Sequence, residues 1–114
     1  MTVYFADTNV FIRFFLKDNI EQYTQVESLI RKAKSGKIKL VIPQIIIFEV
    51  LFVLKNYYDF NKQEIVNKLK SLVSASYFDV QDREIFILAI ELYKVENLSF
   101  VDCFLLAKAQ IEGI

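Results

Sequence analysis

Apolar side chains run through this chain in two rhythms. Val3-Tyr4-Phe5-Ala6 is an unbroken apolar stretch that stops at Asp7-Thr8-Asn9, and Val10, Phe11, Phe14 and Phe15 then recur at helical spacing. The first stretch predicts a short strand buried on both faces, because no polar residue alternates with the apolar ones. Val26, Leu29, Ile30 and Ala33 predict a helix from about Ile20 to Ser35, with Gly36 at its C-terminal cap. Lys39-Leu40-Val41-Ile42 reads as a second strand. Pro43 suits the first turn of the next helix, which continues through Ile45 to Leu54 and ends near Tyr57 or Tyr58. Apolar residues cover nearly all its faces, so deep packing is expected. Asn61 and Glu64 have capping-box spacing before Ile65, Val66, Leu69, Leu72 and Val73. Ser76 to Val80 is a third strand, Asp82 is placed to cap a helix through Tyr93, and Ser99 to cap a last helix that Gly113 ends.

Strands thus alternate with helices, and helices dominate. That pattern predicts an α/β domain around a short, mainly parallel sheet joined by right-handed crossovers. At 114 residues one domain is expected. The apolar fraction of 54% is high for so short a chain, and a small domain cannot hide all of it, so an oligomer or a covering partner is expected.

Charge narrows the chemistry more than it directs it. Fourteen basic and fourteen acidic side chains balance, so no global field draws nucleic acid. Arg31, Lys32, Lys34, Lys37 and Lys39 form a local cluster, read either as a solvated helix end or as a phosphate contact. The uncharged run Leu40–Phe48 falls far short of the roughly 20 residues a membrane span needs. No export signal is visible, and the lone Cys103 fits a reducing compartment, so a cytoplasmic location is expected. The chain has no histidine. Ser-His-Asp and Cys-His catalysis are thereby excluded, as are zinc sites of His and Cys.

Three acids interrupt apolar sequence. Asp7 follows the first strand, at the carboxyl end of a sheet where α/β folds bind ligands, though it also suits an N-cap. Glu49 is the one charge between Ile45 and Leu54; it is a buried acid needing a partner, or it faces a solvent slot, or it pairs with a lysine such as Lys55 or Lys108. Asp102 has capping-box spacing from Ser99 yet lies among Phe100, Val101, Cys103, Phe104, Leu105 and Leu106. Gathered together, three carboxylates would repel, and a divalent cation would turn that repulsion into attraction. All-oxygen ligands point to Mg²⁺ or Mn²⁺.

Asp7-Thr8-Asn9 after an N-terminal strand, the lone Glu49 in a central apolar helix, and Leu98-Ser99-Phe100-Val101-Asp102 before the last helix together resemble a PIN domain. Within that family the likeness is to VapC-like toxins of toxin–antitoxin pairs. The resemblance covers nearly the whole chain in element order. It implies a helix-dominated three-layer α/β/α fold over residues 1–114 and a Mg²⁺- or Mn²⁺-dependent endoribonuclease, the toxin of a type II pair. By the same resemblance Asp7, Glu49 and Asp102 hold the metal and are catalytic, Thr8 and Asn9 orient Asp7 and the attacking water, and Ser99 supports the site. The partners it implies are an RNA substrate, a cognate antitoxin that blocks the cleft, and a second copy in a homodimer. Family members continue past this last helix into a strand with a further acid; the chain ends at Glu112-Gly113-Ile114, so the likeness implies a C-terminally incomplete domain without a fourth acid.

Two other readings compete. A catalytically impaired PIN-like interaction module accounts for the missing acid and the apolar content. The stretch Asp7-Thr8-Asn9-Val10 also faintly resembles the aspartyl-phosphate motif of haloacid-dehalogenase-type phosphatases, but Asn9 stands where those carry a second acid.

Overall fold

The computed structural model describes residues 1–114. Its elements run β1 (Thr2–Phe5), α1 (Thr8–Leu16), α2 (Ile20–Lys34), β2 (Ile38–Ile42), α3 (Gln44–Asn56), α4 (Lys62–Ser74), β3 (Phe78–Val80), α5 (Arg83–Val95) and α6 (Phe100–Glu112). Three strands in the order β1-β2-β3 pair parallel, giving the helix-rich α/β/α fold expected from the sequence. Local signals set the helix ends. Asn19 accepts from the Gln22 amide at 2.9 Å, and Asn61 and Glu64 form a reciprocal capping box. Gly113, in the left-handed region, closes α6.

Strand register decides what the sheet buries. Tyr4, Leu40 and Phe78 align, as do Ile42 and Val80, and the β2 and β3 members of these rows are buried. The opposite face carries Val3, Phe5, Lys39 and Asp79, all exposed, with Lys39 and Asp79 paired at 3.1 Å across neighbouring strands. This corrects the expectation that β1 is buried on both faces. All four of its residues are exposed, whereas Phe78 and Val80 of β3, the other edge strand, are buried, so it is the lack of covering side chains over β1 and not its edge position that leaves it open. An apolar run cannot distinguish a doubly covered strand from an uncovered one.

Helix α3 is a second correction. Ile47, Val50 and Leu54 are buried, but Ile45, Glu49 and Phe52 form an exposed stripe at i, i+4 and i+7. Behind that stripe Phe48 packs on Phe86, Phe100 and Phe104, with ring centroids 5.1 to 5.6 Å apart. This aromatic cluster fixes α3 against α5 and α6. Two backbone bonds extend the strand ladders: Ala6 N–H donates to Val41 O at 2.8 Å, and Gln81 N–H to Ile42 O at 3.0 Å. They bring the carboxyl ends of all three strands level, and Asp7 leaves the sheet there.

Candidate active site

Asp7 sits between β1 and α1 in extended backbone, φ −97° and ψ 173°. Its Oδ1 accepts from the Val10 amide at 3.2 Å, so the capping reading of this acid is correct as far as it goes. Oδ2 is left outside that bond. The next residue reaches across the fold: Thr8 Oγ1 donates to Glu49 Oε2 at 2.8 Å. That contact spans 41 residues of sequence and ties the end of β1 to the middle of α3.

Glu49 is exposed, in accord with the solvent-slot reading. It makes no ion pair with Lys55 or Lys108, and Lys108 is held by Glu112, whose carboxylate raises the Lys108 pKa. Glu49 shares a hollow of about 370 Å³ with Ser99, Phe100 and Val101, the start of α6. Ser99 caps that helix through a 3.1 Å bond accepted from the Asp102 amide. Asp102 is exposed on the first turn. Beneath it Cys103 is fully buried, and burial pushes its thiol pKa up against the opposing charge of the Lys62 ammonium, with the carboxylates of Asp102 and Glu96 adding to the rise. A thiol so protonated is no ligand for a hard cation.

The acids are therefore not buried charges; the structure has no buried polar or charged residue at all. Asp7 and Glu49 are joined through Thr8, and the Asp102 turn lies beyond the hollow that Glu49 borders. No trio of acidic side chains is gathered into a ready metal cage. Asn9 is exposed and makes no side-chain hydrogen bond. Sequence reasoning assigned Thr8 to Asp7 and missed its bond to Glu49. Only the pairing of β1 with β2, which leads into α3, could have revealed it.

The family profile of the PIN domain matches residues 4–114. The chain belongs to the PIN-domain family. It is also 26% identical, over 108 residues, to a VapC ribonuclease of Aquifex aeolicus (strain VF5), a match that covers 95% of this chain and 79% of that protein. In this PIN domain the oxygens nearest the carboxyl end of the sheet are carboxylate, hydroxyl and amide, with no imidazole or thiolate exposed beside them. That donor chemistry suits a hard divalent cation.

Proposed function

We propose that this PIN-domain protein is a divalent-metal-dependent endoribonuclease and the toxin of a toxin–antitoxin pair. The observation that carries the reading is the Thr8–Glu49 bond, which joins the Asp7 turn to the lone acid of α3 at the carboxyl end of a parallel sheet. The likeness to a VapC ribonuclease supports it. Asp7, Glu49 and Asp102 are the residues that would hold Mg²⁺ or Mn²⁺, each with carboxylate oxygen left outside its hydrogen bonds. A bound cation supplies Lewis acidity at the phosphodiester and a lowered pKa for water. The chain's own part is positional. The Val10 amide fixes the Asp7 carboxylate, the Thr8 hydroxyl fixes Glu49, and Ser99 starts α6 so that Asp102 lies on its first turn. The antitoxin is a protein that covers this cleft. A second copy of the chain covers exposed apolar side chains, either those of the β1 edge, Val3 and Phe5, or those of α6, Leu105, Leu106 and Ile111.

The test is cleavage of single-stranded RNA with Mn²⁺ present. Thr8→Val removes the hydroxyl at nearly constant volume and should lower the rate about 10–100-fold, the usual cost of losing a group that orients a ligand. Thr8→Ser should keep most of the activity. Equal rates for wild type and Thr8→Val would remove the support this bond gives. The absence of a preformed acidic trio favours the alternative, an interaction module. That reading expects no RNA cleavage and no Mn²⁺-dependent rise in melting temperature at millimolar metal.

A further inference from the structure

Six ion pairs join oppositely charged side chains in this protein, and Lys55 and Lys62 belong to none of them. Both line a cavity of about 470 Å³, together with Phe60, Tyr93, Asn97 and Ser99. Lys62 is held in place there: its Nζ donates to the Glu96 carbonyl at 3.0 Å and lies 4.5 Å from the Tyr93 ring centroid. Tyr93 is only 7% exposed, and its hydroxyl has no hydrogen-bond partner in the protein. No buried polar atom is left unpaired, so that hydroxyl keeps some access to solvent, and Tyr93 lines the cavity.

The cavity continues toward the acids. Lys55, Tyr93 and Ser99 also wall the hollow that contains Glu49. Lys55 follows Glu49 by six residues, about 9 Å of helix rise. One groove thus runs from the acid site to two ammonium groups with no carboxylate partner. Its outer wall carries Phe52, 54% exposed, a flat apolar surface of the kind that stacks unpaired bases.

We propose that this groove is the path of the RNA strand, and that Lys55 and Lys62, with the Tyr93 hydroxyl as a neutral donor, bind a phosphodiester flanking the one cleaved at Asp7, Glu49 and Asp102. The proposal rests on the ribonuclease reading. The groove offers cationic and hydroxyl donors beside an exposed aromatic, which is the combination that tracks a single-stranded backbone.

The experiment measures binding of a fluorescent single-stranded RNA across a salt series without metal, in an Asp7→Asn background that prevents cleavage. Adding Lys55→Gln and Lys62→Gln should weaken binding and lower the slope of log Kd against log salt by about 0.7, since the two lysines share one phosphodiester and each phosphate contact on a single strand contributes about 0.7. Lys55→Arg with Lys62→Arg should restore the slope. Equal losses in the Gln and Arg pairs would mark a structural effect and overturn the proposal. An unchanged slope, in a protein whose wild type cleaves RNA, would overturn it and leave the ribonuclease reading standing. A wild type that neither binds nor cleaves RNA overturns both. Unchanged RNA binding with lost binding of polyglutamate would assign the lysines to an acidic peptide instead and overturn the phosphodiester subsite.

Discussion

Asp7 caps α1 and stands first among the proposed ligands, and substitution separates the two roles. Asn caps as well as Asp, so Asp7→Asn should stay within about 0.5 kcal/mol of wild type, while Asp7→Ala should lose about 1 kcal/mol with the cap. Removing the charge brings no large relief, because Asp7 and Glu49 are both exposed. In water, repulsion between charges 4 Å apart is only about 1 kcal/mol. Both variants should lose the rise in melting temperature that wild type shows with Mn²⁺; a response kept in Asp7→Asn would leave Asp7 a cap and nothing more. The caps at Asp7, Asn61 and Ser99 were legible because a cap needs only its own next turn. Asp82 was not. It takes left-handed backbone at φ 57° and makes no cap bond; its carboxylate accepts from Gln44 Nε2 at 2.6 Å instead. That partner is 38 residues away, beyond the reach of any local pattern.

Arg83 joins three elements, and nothing in the sequence announced it. From the first position of α5 its guanidinium donates to Val73 O, Ala75 O and Phe78 O, which closes the C-terminal end of α4 onto the start of β3. The hydrophobic pattern places α4, β3 and α5 but says nothing of what satisfies the last carbonyls of α4, and a basic residue at a helix start runs against the dipole rule. Arg83→Ala should therefore lower stability by about 2–3 kcal/mol, the range for bonds to a charged donor whose partners are left partly buried. Arg83→Lys should recover only part, since a point charge cannot fork to three carbonyls. The urea midpoint measures both. A loss below about 0.5 kcal/mol in Arg83→Ala would mean that water replaces the guanidinium freely. The same separation of local from distant signals explains α3. Its start was readable from Pro43, and its end, expected near Tyr57 or Tyr58, falls at Asn56, but a helix apolar on every side does not say which side is covered. The exposure of Glu49 followed from the Phe48 cluster, which draws the other side inward.

The molecule measures 41 × 33 × 17 Å, and its helix layers leave the Val3–Phe5 face of β1 uncovered. That face and the free edge of β1 meet at Val3 and Phe5, 50% and 72% exposed. An edge strand with no charged residue, no proline and no covering helix offers a row of unpaired backbone groups to any strand that approaches. The chain has a high apolar fraction, and an exposed apolar edge of this kind suits cover by another protein surface. Among the aromatics, Phe14 and Phe15 pack on the core, while Phe52, Tyr57 and Tyr58 remain exposed. Self-association through the β1 edge should therefore compete with contacts made by the helices, and a single charge tells them apart. Val3→Lys places a cation on the edge, where natural sheets use lysine to prevent pairing. It should shift light scattering at high micromolar concentration toward monomer, leaving the melting temperature of the dilute protein nearly unchanged because Val3 lies outside the buried core. Equal association of Val3→Lys and wild type would move the interface to the helices, and a monomeric wild type would show that the open edge is tolerated alone.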